Sequence, residues 1–118
     1  MSLNIELGWP AKALSPNFRS RSHWPRTNAI KDAREWAYLA ALEIVPKCFK
    51  HNGARMPFLI TAYPPDKRER DDDNLIASLK AARDGIAQAL GIDDKLFDQR
   101  LQWGEPVKHG RVVVSLGG

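Results

Sequence analysis

Apolar residues recur along the chain with two different periods, which predict strands and helices. An alternating run over residues 3–9 predicts a first strand. Residues 11–26 are rich in Pro, Ser and Asn and follow neither period, so we expect a long surface loop there. The next segment predicts a helix that is N-capped by Thr27 or Asn28 and runs to about Val45. Its apolar stripe, at spacings of three and four, comprises Ile30, Ala33, Ala37, Ala41 and Ile44.

The second half of the chain repeats this change of period. Residues 58–63 are almost continuously apolar and β-favouring, which predicts a central strand buried on both faces. A second helix is expected after it, with Asp72 or Asp73 as the N-cap. Its predicted core stripe comprises Leu75, Leu79, Ala82, Ile86 and Leu90. Alternation over residues 97–103 and again over 112–116 predicts a terminal hairpin.

The order of these elements predicts the fold class. A chain of 118 residues has room for one domain with a single modest core, so we expect one domain over residues 1–118. Strand, helix, strand, helix, strand, strand is an α+β order. It predicts a two-layer domain in which two helices pack on a mixed β-sheet.

The composition excludes several classes of protein. No apolar run approaches the roughly 20 residues that cross a bilayer, and the N-terminus lacks the pattern of a secretory signal. We therefore expect a soluble intracellular protein without a membrane partner. Cys48 is the single cysteine, which excludes an intramolecular disulfide and a zinc site built from cysteines.

Charge is distributed unevenly along the chain, although the formal net charge is only +4. Residues 7–31 contain no Asp or Glu, and nine of the fourteen acids fall between Asp66 and Asp98. The basic arm carries Lys12, Arg19, Arg21, Arg26 and Lys31. A basic segment next to a cluster of acids suits a protein that binds a polyanion through the basic segment and cleaves it at a metal ion held by the acids. The alternative is a solvated surface with uneven charge.

Two aromatic residues, Phe18 and Trp24, lie among the arginines of this arm. Rings interleaved with cations are typical of loops that grip unstacked nucleic acid. The same rings are equally able to fix the loop to the core, and both interpretations stay open.

Three consecutive acids precede the second helix. If the chain is still extended there, Asp71 and Asp73 share one side while Asp72 points elsewhere. Hard cations such as Mg²⁺ bind through a few carboxylates together with substrate phosphate oxygens. Asp94 joins this site only if the chain folds back after the helix. The alternative is that the acids form an N-cap and a solvated loop.

Lys80 falls on the same predicted helix face as Asp73 and Asp84. Its ammonium group is suited to offset charge on a phosphate, or else forms an ion pair with Asp84. No phosphate-binding glycine loop and no serine or cysteine nucleophile motif occurs. Hydrolysis by this protein would therefore use metal-activated water.

The order of these features along the chain resembles the RusA family of Holliday-junction resolvases over nearly its whole length. The segments that carry the resemblance are Leu14-Ser15-Pro16-Asn17-Phe18-Arg19, Tyr63-Pro64-Pro65-Asp66-Lys67-Arg68, Asp71-x-Asp73-Asn74, Lys80, Asp84-Gly85 and Gly91-Ile92-Asp93-Asp94. In familiar members the lysine stands closer to the D-x-D-N motif, whereas here residues 75–79 intervene, about one extra helical turn.

The resemblance implies a set of site residues. Asp71, Asp73 and Asp94 would bind Mg²⁺ or Mn²⁺, with Asp93 as an alternative to Asp94, and Lys80 would be the essential basic residue. DNA contacts are expected from a further set of side chains: Asn17, Arg19, Arg21, Lys67, Arg68 and Arg70.

The function implied is that of a homodimeric endodeoxyribonuclease, which resolves four-way DNA junctions by paired metal-dependent nicks in recombination and repair. Its expected location is the cytoplasm of a bacterial or phage-infected cell. The alternative function is a non-catalytic protein that binds branched DNA on the same fold.

Overall fold

The structure is a computed structural model that describes residues 3–19, 22, 24–46, 49 and 53–117. Within these ranges it contains four strands and three α-helices. In chain order they are β1 (Leu3–Leu7), α1 (Trp24–Ile44), β2 (Met56–Tyr63), α2 (Asp72–Ser78), α3 (Lys80–Leu90), β3 (Phe97–Trp103) and β4 (Arg111–Leu116). Single 3-10 turns occur at Lys12–Leu14 and Asp94–Leu96. No helix in the described ranges combines the length and the apolar character needed to cross a membrane.

The four strands form one mixed sheet in the order β1-β4-β2-β3. The central strand β2 pairs parallel with β3 and antiparallel with β4, and β1 pairs antiparallel with β4 at one edge. The α+β domain with helices on a mixed sheet, as predicted, is confirmed.

The predicted terminal hairpin is wrong, because β2 lies between β3 and β4. Residues 104–110 instead cross the C-terminal end of β2. The Gly104 amide donates to the Ala62 carbonyl over 2.8 Å, and the Val107 amide donates to the Pro64 carbonyl over 2.9 Å. Alternation predicts which face a side chain occupies, but it does not identify the neighbouring strand.

The core lies on one face of the sheet, where the helices pack. On β2 the buried side chains of this face are Met56, Phe58, Ile60 and Ala62. The central position of β2 is as predicted, but burial on both faces is incomplete. On the opposite face Thr61 is buried, while Leu59 and Tyr63 keep part of their surface exposed.

Helix α1 begins at Trp24, so the predicted N-caps Thr27 and Asn28 lie inside it. The Ser22 hydroxyl accepts a hydrogen bond from the Trp24 amide over 3.2 Å. Pro25 is tolerated because amides in the first turn of a helix have no intrahelical partner. Ala37 and Ala41, the centre of the predicted stripe, are fully buried.

Arg26 ties this helix to the preceding loop. Its guanidinium donates to the Ser15 carbonyl over 2.9 Å and to the Phe18 carbonyl over 3.1 Å. It also lies 6.0 Å from the centre of the Phe18 ring. Phe18 is therefore held to its own domain, whereas Trp24 is 62% exposed.

The predicted second helix is broken into α2 and α3 at Leu79, whose φ of −98° and ψ of 1° leave the helical region. The Ser78 hydroxyl donates to the Asn74 carbonyl over 2.8 Å, a contact that commonly bends helices. The predicted core stripe is nevertheless confirmed, because all five of its residues are buried: Leu75, Leu79, Ala82, Ile86 and Leu90.

Helices α1 and α3 approach closely at Gly85. A Cβ atom added to Gly85 would overlap the Arg34 carbonyl and would lie 3.1 Å from the Tyr38 amide nitrogen. Both neighbours belong to the backbone of α1, so they have little freedom to move aside.

We expect the substitution Gly85→Ala to lower the free energy of unfolding by about 2 kcal/mol. Overpacking against a backbone should outweigh the roughly 1 kcal/mol that alanine gains in helix propensity. Urea denaturation followed by circular dichroism measures the change. Gly8→Ala is the matched control, because no atom lies within 4 Å of its added Cβ. A Gly85→Ala protein as stable as the wild type would contradict the close approach.

Candidate functional site

The acidic segment follows the C-terminal end of β2, and Asp66 organises it. The Asp66 carboxylate accepts the Arg68 amide over 2.9 Å and pairs with the guanidinium groups of Arg68 and Arg70, at 3.2 and 2.9 Å. Arg70 also donates to the carbonyls of Asp66 and Arg68. The hydrogen bond from the Arg68 amide is the main cause that lowers the pKa of Asp66; desolvation opposes it, and the guanidinium groups of Arg70 and Arg68 add to the lowering.

Asp71 is the N-cap of α2, so the predicted caps Asp72 and Asp73 are wrong by one and two positions. Its Oδ1 accepts the amide of Asp73 over 2.8 Å and that of Asn74 over 3.4 Å. The capping bonds use only one carboxylate oxygen. Among the described residues Oδ2 of Asp71 has no hydrogen-bond partner, so it is open to solvent or a ligand.

Asp72 has a separate partner. The Trp103 indole nitrogen donates to Asp72 Oδ1 over 2.6 Å. The backbone is extended only as far as Asp71, so the alternation of side chains in a strand does not apply to Asp72 and Asp73. Asp72 nevertheless has a partner of its own, as expected, although for a different reason. The role of Trp103 was missed because 31 positions separate the two residues and no short motif links them.

A groove of about 660 Å³ lies beside this segment. Its wall combines cationic, aromatic and acidic side chains, among them Lys12, Arg68, Trp9, Asp71 and Asn74. Arg70 also lines the groove, and its guanidinium lies 5.5 Å from the centre of the Trp9 ring. The groove thus offers phosphate-binding cations next to a carboxylate.

Lys80 lies next to a different cavity, of about 290 Å³, together with Asp84, Arg26 and Arg34. The break at Leu79 makes Lys80 the first residue of α3, so it does not continue the face of α2 that carries Asp73. Ser78 lines both cavities, which places Lys80 beside the groove rather than within it.

Asp94 lies at the other end of the sheet from Asp71. It precedes Phe97, which pairs with Met56 at the start of β2, whereas Asp72 contacts Trp103 at the far end of β3. Six steps of about 3.3 Å put these ends roughly 20 Å apart. The Asp94 carbonyl is held by the Arg83 guanidinium over 2.8 Å.

Asp93, the alternative to Asp94, lies at the same far end and caps the 3-10 turn there. Its carboxylate accepts the Lys95 amide over 3.0 Å, and this bond is the main cause that lowers the pKa of Asp93. Among the residues that the structure describes, no three His, Cys, Asp or Glu side chains gather into a metal-binding group.

Of the three predicted ligands, Asp71 lines the groove, whereas Asp73 is exposed in the first turn of α2 and is not among the lining residues. The two acids are two positions apart, and Mg²⁺ is commonly held by one or two carboxylates with phosphate oxygens and waters. Asp94 does not reach this pair in its own chain.

The predicted DNA contacts fall into two groups. Asn17, Arg19 and Lys67 are exposed on loops, and the Arg68 side chain is 81% exposed. Arg70 is only 22% exposed and is used internally, so it shapes the loop. Arg21 lies outside the described residues.

A protein of Xylella fastidiosa (strain Temecula1), described as uncharacterized, is similar to this chain. The two are 39% identical over 123 residues, which cover 98% of this chain and 76% of the relative. The chain belongs to the same family as this Xylella protein. No protein-family model matches the chain. Because the match covers 98% of this chain, it includes nearly all of the strands, helices and loops that form the groove.

We expect Asp71→Ala to lower the free energy of unfolding by about 1 kcal/mol, because it removes the N-cap of α2. Asp71→Asn should stay within a few tenths of a kcal/mol of the wild type, since an asparagine oxygen caps as well. Urea denaturation of both variants tests the difference. Equal stability of the two would contradict the capping role. Asp71→Asn is consequently the variant with which to examine chemistry.

Proposed function

We propose that the protein is a metal-dependent endodeoxyribonuclease of the RusA resolvase type, acting on four-way DNA junctions. The observation that carries this proposal is that Asp71, the N-cap of α2, lines a groove that also contains Lys12, Arg68 and Trp9, with Asp73 two positions further on in the first turn of the helix. The order of motifs along the sequence supports the same function.

The chemistry assigned to this site depends on two carboxylates. Asp71, through Oδ2, and Asp73 would hold Mg²⁺ or Mn²⁺ jointly with phosphate oxygens of the DNA. A divalent cation bound there supplies a water of lowered pKa as the nucleophile and offsets charge on the phosphate. The capping bonds hold the Asp71 carboxylate in position, and Asp72 is kept aside by Trp103.

DNA is bound in this proposal mainly through its backbone. Arg68, Lys67 and Arg19 are exposed cations that neutralise phosphates, which gives affinity without reading sequence. Lys80, in the adjoining cavity, contacts the phosphate backbone at the edge of the groove. Selectivity then arises from the shape of the junction.

A second function, binding of branched DNA without cleavage, is favoured by one observation. Asp94 and Asp71 lie at opposite ends of β3, whose ends are roughly 20 Å apart, so Asp94 does not join Asp71 within one chain. A protein with an incomplete metal site and exposed cations such as Arg68 beside it would hold a junction and leave it intact.

We expect Asp71→Asn and Asp73→Asn each to slow the nicking of a synthetic four-way junction in Mg²⁺ by about 100-fold or more, the cost of removing a preorganised charged group. Binding of the junction should be kept. Nicking is measured on denaturing gels and binding by gel retardation. Asp98→Asn is the control, since Asp98 is a surface acid on β3.

Wild-type rates in both active-site variants would exclude this mechanism. A wild-type protein that retards the junction but leaves it uncut in Mg²⁺ and in Mn²⁺ would establish the binding function instead.

In the proposed homodimer Asp94 would act as a metal ligand in the active site of the partner chain. In the proposed symmetric pair, Asp94 of one copy would complete the acid pair of the other, which it does not reach in its own chain. Each site would then combine residues from two chains.

We therefore expect a mixture of Asp71→Asn and Asp94→Asn chains to recover nicking, although each variant alone is inactive. Random exchange would make about half of the dimers mixed, each with one intact site, so about a quarter of the sites would be restored. Recovered activity should give single nicks. If the mixture stays inactive, Asp94 does not act across the dimer, and if Asp94→Asn alone is active, Asp94 is not a ligand.

A further inference from the structure

Trp103 is exposed and yet held in place. It is 36% exposed at the end of β3, in a position where its ring is open to solvent. Its indole N–H is bonded to Asp72, and its ring centre lies 6.3 Å from that of Trp9 at an angle of 46°. Exposed aromatic rings usually keep more freedom than these contacts allow.

Trp9, whose ring lies next to that of Trp103, is itself held by contacts on two sides. Gly110 has a φ of +72°, and a Cβ there would lie 2.9 Å from the Trp9 Cβ. Arg70 covers the Trp9 ring at 5.5 Å and is anchored to Asp66. Trp103 therefore rests on a rigid base.

The surroundings indicate what the open ring would bind. Trp9 lines the groove that contains Lys12 and Arg68, and Asp72 lies between the two proposed ligands Asp71 and Asp73. A polyanion bound in the groove would pass beside Trp9, the ring next to Trp103. Trp103 does not itself line the groove, but it is joined to it by its ring contact with Trp9 and its hydrogen bond to Asp72. Trp36, although 66% exposed, neither lines the groove nor bonds to Asp72.

We propose that Trp103 is a stacking platform for an unpaired nucleobase of the DNA strand held at Asp71 and Asp73. This inference rests on the proposed nuclease function and adds to it a binding site for the base. Covering the ring leaves no polar group unsatisfied, since the N–H already has its partner. Because the ring is already ordered, stacking costs little conformational entropy. Every base has a π-face, so the platform tolerates any sequence.

The test is DNA binding by variants of Trp103, measured by fluorescence anisotropy with a labelled four-way junction and a labelled single strand. Trp103→Leu keeps apolar bulk against Trp9 but has no π-face, and should weaken binding about 10-fold. Trp103→Phe keeps a ring without the N–H and should stay within about threefold of the wild type. Trp36→Leu is the matched control and should bind as the wild type does.

A salt series separates stacking from charge. Trp103→Leu should leave the slope of log affinity against log salt unchanged, whereas Arg68→Ala should reduce it by about one. Thermal unfolding of each variant confirms that the fold is kept.

Each outcome decides between the alternatives. Wild-type affinity in Trp103→Leu overturns the platform and leaves the nuclease proposal intact. If Trp103→Phe is as weak as Trp103→Leu, the hydrogen bond to Asp72 carries the effect and stacking is overturned. A wild-type protein that binds no DNA overturns both proposals, and a wild type that binds through Trp103 without cutting supports the platform and contradicts the nuclease.

Discussion

The backbone of β2 needs hydrogen-bond partners on both edges, and most of the architecture follows from this requirement. Its N-H and C=O groups are paired by β4 on one side and β3 on the other. A parallel neighbour requires a crossover, so the chain returns along α2 and α3 before β3 begins. That path places Asp71 at the C-terminal end of β2 and Asp94 at the opposite end of the sheet. The two carboxylates therefore do not meet within one chain.

The sequence predicts faces and periods well, because both are local. The stripe around Ile86 is buried as expected, the stripe of α1 is buried at Ala37 and Ala41 and half-buried at its other three positions, and the strand at 58–63 is central. Contacts between residues that are far apart in the sequence cannot be predicted from local patterns. The pairing of β3 with β2 rather than with β4 depends on competition among strands, and the break at Leu79 depends on how Ser78 bonds to Asn74. The predicted site residues divide in the same way: Asp71 and Asp73 are neighbours by sequence alone, whereas the position of Asp94 and the hydrogen bond from Trp103 to Asp72 depend on the sheet.

Capping and metal binding are compatible roles for Asp71. The capping bonds occupy Oδ1 and leave Oδ2, so the two interpretations of this residue require different atoms. The partial positive charge at the start of α2 also favours carboxylates there, which helps three adjacent acids to coexist. Asp66 lies outside this helix and obtains its compensation from Arg68 and Arg70 instead.

The acids of residues 66–73 differ in how far protein groups compensate their charge. Asp66 is neutralised by arginines and Asp72 is bonded to Trp103, whereas in the described part of the chain the Asp73 carboxylate has no hydrogen-bond or ion-pair partner. Negative charge that is not compensated by protein groups is therefore concentrated on Asp73 and on Oδ2 of Asp71. A phosphate that approaches Arg68 and Lys12 would be repelled by this pair unless a cation lies between them. In the proposed function, binding of the DNA backbone and binding of the cation would thus be coupled through these two carboxylates.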